Sequence, residues 1–264
     1  MSFFIAAIWS TSALLGLDLI AAILVSARPS GNFDLVSRVL CQALAFVSTL
    51  FFMVLVHDKE RPLSEVLGLR RAHLGLCLLA CVLGLALQGP LTLLSNAIYS
   101  RFPLPEEELT LLRELFDVKG AGQKIALVAA AGVVGPVVEE VFFRGGILSN
   151  LRRSHTSGLT LFGVSLLFAA AHRDWRAFFP DFVGGLAMGY VRITSGSLWP
   201  AILVHAAFNA SSVVFALRAG PEADVLTRAQ SLLATLATLV VLALYGTVAR
   251  RSESCARARE QDAS

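Results

Sequence analysis

The stretch that decides the fold runs Ile125-ALVAAAGVVGPVV-Glu139-Glu140-VFF-Arg144. It is an apolar run of membrane type that closes on two adjacent acids. A charged side chain at the centre of a bilayer costs ~2.5–3.5 kcal/mol even on the lenient insertion scale. Two acids side by side therefore mark a place where the charge has a use. Neighbouring helical residues point about 100° apart, so Glu139 and Glu140 cannot serve one face. Glu140 and Arg144, at i,i+4, can pair along the helix and neutralise each other. That leaves Glu139 free to face a cavity.

Working outward, the chain has 264 residues, of which 56% are hydrophobic and 16% charged. A soluble domain carries about a quarter charged residues. Here the apolar residues come in long blocks, so the expectation is an all-α polytopic membrane protein with about eight transmembrane helices and an intramembrane cavity at the acids. The expected spans are 3–26, 36–56, 74–98, 122–143, 158–172, 177–194, 198–217 and 229–249. The first is read as retained rather than cleaved. The fifth and sixth are short, so they tilt or are shielded by neighbours. The organisation expected is one structural domain: motif-free helices over 1–104, a catalytic core over 105–217, and a last helix with a polar tail over 218–264.

The net charge of +3 is small, and arginines cluster at loop positions such as Arg70-Arg71, Arg152-Arg153 and Arg250-Arg251. That pattern fits membrane topology signals and not a nucleic-acid surface. The basic tail (Arg250, Arg251, Arg257, Arg259) leans toward cytoplasmic termini. The Ala-, Arg- and Leu-rich composition points to a bacterial inner membrane. Cys41, Cys77 and Cys81 fall within spans and Cys255 in the tail; without companion ligands they read as small packing residues.

Two further segments stand out. Pro103 to Gly120 opens Pro-Leu-Pro-Glu106-Glu107-Glu108 and continues with Leu109, Leu112, Leu115 and Phe116 on one face. This is an amphipathic surface helix with a strong start signal, or a lid or entry ramp beside the acids. Gly185 and Gly189 have the small-xxx-small spacing that lets membrane helices pack closely.

Polar residues recur in later spans at helical spacing: Phe168 with His172, and His205 with Asn209. Each pair alone is ordinarily structural. Together with Glu139 they compose a minimal hydrolytic kit. A glutamate in a partly dry cavity suits a general base at neutral pH, and His172 can share in activating water. His205 and Asn209 can donate to one oxyanion as a carbonyl becomes tetrahedral. Alternatively, Glu139, His172 and His205 could bind zinc with a water in the open position. The residue types allow both. Absent are a His-Glu-x-x-His zincin motif, a Gly-x-Ser-x-Gly elbow and a phosphate-cradling Gly-rich loop.

At these residues the chain resembles a known family. EExxxR, FxxxH and HxxxN, in this order on separate helices, look like the three motifs of the CPBP (CAAX protease and bacteriocin-processing, Abi) intramembrane proteases, related to type II CAAX prenyl endopeptidases. The stretch from Gly189 to His205 also resembles that family's approach to its third motif. The resemblance spans about residues 105–215 and implies Glu139 and His172 as water activators, His205 and Asn209 as oxyanion donors, and Glu140, Arg144 and Phe168 in support. It implies a cofactor-free endopeptidase, with zinc as the alternative, acting near the C-terminus of a hydrophobic or lipidated substrate; the myxosortase type is one such case. Membrane lipid is the implied surrounding partner, and nucleic acid is not. Two other readings remain: an idle scaffold or immunity protein using the same cavity, and a transporter with a proton relay, which the lack of a visible internal repeat weakens. Asp181, within the sixth span, is interfacial or lines the cavity.

Overall fold

The computed structural model describes residues 1–27 and 34–262, the side chains of 253–262 excepted. Cys255, Arg257 and Arg259 of the tail thus lie outside the described side chains. The elements are α1 (Phe3–Ala27), α2 (Leu35–His57), α3 (Leu63–Leu67), α4 (Leu74–Ala86), α5 (Gln88–Tyr99), α6 (Glu106–Phe116), α7 (Ala121–Leu151), α8 (Ser157–Ala171), α9 (Phe178–Ser195), α10 (Leu198–Ala219) and α11 (Arg228–Asp262). No strand occurs among the described residues. The fold is all-α and polytopic.

Every expected span is helical. Among the described residues, six helices are long and apolar enough to cross a membrane: α1, α2, the α4–α5 pair, α7, α10 and the first part of α11. The two that fall outside are the two read as short. α8 has 15 residues, and α9 carries Asp181 and Arg192. The third span is not one continuous helix but breaks at Leu87. Pro90 has no N–H to offer the carbonyl of Ala86, four residues before it, and its ring crowds that carbonyl.

α10 lies at the centre, packed against α4, α7 and α9, while α11 covers α4 and α5, and α1 lies on α2. The outer faces are apolar. Leu15, Leu19 and Ile23 of α1, Leu44 and Phe51 of α2, and Leu233, Leu236 and Val240 of α11 are all exposed. In water such stripes would drive aggregation; against lipid tails they cost nothing.

α8 and α9 approach closely along the Gly185–Gly189 face, where a Cβ on Gly185 would lie 3.1 Å from the Cβ of Ser165. Polar ties inside the bundle hold the rest. Asp58, buried at the end of α2, accepts from Asn150 (2.7 Å) and Arg153 (2.7 Å) at the end of α7. Gln88 of α5 donates to the carbonyl of Phe208 and the hydroxyls of Ser211 and Ser212 on α10, all within 2.9 Å. A buried amide with its protons taken up costs little and fixes α10 against α5.

α6 has no buried residue. It is pinned by ion pairs: Arg113 to Glu106 and to Glu222, and Glu108 to Arg176. Arg176 belongs to the loop between α8 and α9, so the surface helix is tied to the loop that begins at His172.

Candidate active site

The site starts from an irregularity in α7. The helix is of π type over Ala130–Val134 and again over Val141–Ile147, with the short α stretch Gly135–Glu140 between. Gly135 N–H reaches back five residues to the carbonyl of Ala130. Its neighbour Pro136 has no N–H, so the carbonyl of Ala131 is left without the helical donor next in line. Asn209 of α10 donates its side-chain amide there, at 3.4 Å. Pro136 thus opens a carbonyl that locks α10 to α7 beside the paired acids.

The two glutamates then part company. Glu140 is fully buried and its Oε1 accepts from Arg144 Nη1 (2.9 Å) and from His205 Nδ1 (3.0 Å). Arg144 is equally buried. Its second Nη donates to the carbonyl of Gly185 (3.1 Å), and its guanidinium lies 4.3 Å over the ring of Phe168. Phe168 meets His172 and His205 edge-on, with ring centroids at 4.7 and 5.7 Å. One aromatic ring therefore takes a cation on its face and steers both imidazoles.

Glu139 points the other way. Its Oε1 accepts from Gln42 of α2 at 2.7 Å. Its Oε2 is buried, has no hydrogen-bond partner, and faces Nε2 of His205 at 3.7 Å and Nε2 of His172 at 4.0 Å. Both separations exceed a hydrogen bond. His172 lies 2.9 Å through Nδ1 from the carbonyl of Phe168. A carbonyl only accepts, so Nδ1 carries the proton, and the neutral ring presents a lone pair at Nε2. The same logic at Glu140 places a proton on Nδ1 of His205. With both rings neutral, three acceptors converge on one spot, an arrangement satisfied by a donor such as water.

Two small cavities flank this spot. One, of about 150 Å³, is lined by Leu14, Arg38, Gln42, Glu139 and His172. The other, of about 230 Å³, is lined by Leu91, Met188, Phe208, Asp181, His205 and Asn209 as well as His172. His172 borders both. It ends α8, and the next residue, Arg173, has φ 59°, left-handed for a non-glycine. Arg173 is held there by both oxygens of Asp18 on α1, at 2.8 and 2.9 Å. The chain turns sharply at that point, leaving the imidazole at the cavity wall.

All seven residues singled out in the sequence thus meet around one locus, Asn209 by way of the Ala131 carbonyl. One other was missed, and one was left open. Gln42 sits in a span that carries no motif; a lone amide in an apolar helix, one turn after Arg38, was the available signal. Asp181, left open between interface and cavity, lines the larger cavity, its Oδ2 lying 3.6 Å from His172 Nδ1. Among the described residues, no group of three or more His, Cys, Asp or Glu is disposed to hold a metal ion.

Residues 121–211 match the family model described as type II CAAX prenyl endopeptidase Rce1-like. This core is thus similar to the CAAX-protease family. The matched segment runs from the start of α7 into α10 and contains all seven site residues. That similarity supports a CAAX-type intramembrane protease, and by its helices the chain is an integral multi-pass membrane protein. No curated protein matches the chain.

Proposed function

We propose that this protein is an intramembrane endopeptidase in which Glu139 and His172 activate water. The observation that carries the reading is Glu139 Oε2, buried, unpartnered and faced by two imidazole Nε2 atoms. A water donating to Oε2 and to Nε2 of His172 sits where a proton can leave it as its oxygen attacks a carbonyl carbon. The tetrahedral oxyanion then accepts from Asn209 Nδ2. His205 takes up one proton from solvent at Nε2 before the attack, and as an imidazolium it donates at Nδ1 to Glu140 and at Nε2 to the oxyanion. Collapse breaks the C–N bond, and the leaving amine takes the proton held by Glu139 or His172.

The substrate class we propose is a membrane-associated or lipidated protein cut near its C-terminus. The larger cavity is apolar apart from the catalytic groups and Asp181, and it lies among helices whose outer faces meet lipid. α6, tied through Arg176 to the loop after His172, marks the side of approach. A bacterial inner membrane is the location this reading places it in.

The test compares C-terminal fragments of membrane-associated proteins in cells carrying the wild type, Glu139→Gln, or neither. Fragments that appear only with the wild type, at equal protein levels, support the assignment. Cleavage by Glu139→Gln would remove it. Activity that is lost in chelator and restored by zinc would replace the metal-free mechanism with one in which Glu139, His172 and His205 hold the ion.

A further inference from the structure

At the end of the bundle away from Glu139 lies a second buried charge that the protease reading does not use. Arg192 is 11 residues along α9 from Asp181, about 16 Å at a helical rise. It is 6% exposed. Its Nε is buried without a partner among the described residues, where its one hydrogen bond, Nη2 to Ser149 Oγ at 3.3 Å, is to a neutral hydroxyl. No carboxylate pairs with it among the described residues. The charges that act on it are those of Arg152 and Arg70, both of its own sign.

The cation is held in place. Gly68, at φ 69°, has no side chain where the guanidinium passes; a Cβ there would lie 2.7 Å from Arg192 Cζ. The Gly68 carbonyl in turn accepts from Leu198 N–H at the start of α10 (2.9 Å), and Ser197 Oγ donates to the Arg70 carbonyl (2.6 Å). The loop after α3 and the starts of α9's neighbours are thus locked around a positive centre. The nearby acids are engaged elsewhere: Asp58 with Arg61 and Arg153, Glu65 with Arg61. Arg70 and Arg152 are exposed and make no ion pair among the described residues. The C-terminal dipole of α9 supplies about half a negative charge. Three guanidiniums exceed it by far.

A buried guanidinium with no counter-charge is costly unless something anionic is supplied. Donors arriving from three separate segments suit a tetrahedral oxyanion, which accepts from several directions, better than a planar carboxylate. We infer that Arg192, Arg70, Arg152 and Ser149 form a binding site for a phosphate group. The group is the headgroup phosphate of an anionic membrane lipid or free phosphate. The inference is independent of the catalytic reading.

Native mass spectrometry of the full chain in detergent tests it, with phosphatidylglycerol, uncharged diacylglycerol and inorganic phosphate as probes. Phosphatidylglycerol should bind where diacylglycerol does not. Arg70→Gln with Arg152→Gln, both at exposed and unpaired residues, should weaken binding about tenfold or more, and Arg192→Gln likewise. Arg71→Gln, the neighbouring exposed arginine, should leave it within about twofold. Displacement of the lipid by inorganic phosphate, or binding of phosphate alone, assigns the site to free phosphate; lipid retained against phosphate assigns it to a headgroup. Equal retention of diacylglycerol, an unaffected double variant, an Arg71→Gln loss as large as the double variant's, or no binding of either phosphate probe would overturn the site.

Discussion

Consider replacing Glu140 by alanine. The carboxylate neutralises Arg144 and accepts from His205, and neither the acid nor the arginine has any exposed side-chain surface. Removing one member of such a pair strands the other, at a cost of about 3–5 kcal/mol. At about 2–4 °C per kcal/mol for a chain of this size, the melting midpoint should fall by about 6–20 °C. Cleavage should fall too, because a catalytic group displaced by an ångström loses about 10²-fold. A second variant separates the two effects. Glu140→Met with Arg144→Met swaps the buried pair for apolar side chains of similar length, and such swaps are often neutral or stabilising. Its melting midpoint should return to near the wild type, while cleavage stays lost because His205 Nδ1 has no acceptor. The assay is a thermal-aggregation midpoint in detergent at fixed scan rate, beside fragment production. A midpoint for Glu140→Ala within about 2 °C of wild type would refute the bracing role of Glu140. Restored cleavage in the double Met variant would refute the positioning of His205.

Two further outcomes follow from named contacts. Gln42→Leu removes the 2.7 Å hydrogen bond that fixes Glu139 Oε1; cleavage rate should drop about 10–100-fold, the value of a hydrogen bond to a charged group, with the melting midpoint little changed. Glu222 is held below the ordinary carboxylate range by its hydrogen bond to Arg113, so the unfolded tether binds its proton first on acidification. The link from α6 to the loop before α11 should therefore persist at neutral pH and disappear as pH falls below about 4.5 through the lowered value. Hydrogen exchange of residues 106–116 against pH reads this directly, and Glu222→Gln should show the loosened behaviour at all pH values.

Much of this was legible from residues alone because the bilayer is a severe solvent. Every polar group inside it needs a reason, so Glu139, Glu140, Arg144, His172, His205 and Asn209 stood out against apolar helices, and helical spacing said which of them shared a face. The six long apolar helices followed from the same contrast. What stayed hidden depends on which helices lie side by side, and local pattern does not carry that. Gln42 contacts Glu139 across 97 positions of sequence, with nothing in α2 to name its partner. Asp181 stayed open between interface and cavity, and the packing of α9 brings it beside His172. Arg192 drew no reading from the sequence, because only the tertiary structure shows that it pairs with no acid among the described residues. The break at Leu87 and the first π turn of α7 lie beside Pro90 and Pro136, but a proline announces a disturbance without saying which donor will repair it.

The π turn over Ala130–Val134 bears on how the chain can change length. Such a turn holds one residue more than an α turn while leaving the flanking faces in phase. Losing one residue inside it would restore ordinary winding and keep Glu139 aimed at the two imidazoles. The same deletion a turn away on either side would swing the acid by about 100° and point it into lipid or packing. The bulge is thus a slack link in an otherwise indexed rod, a stretch before the acids where a deletion can be absorbed without turning Glu139 away from the imidazoles.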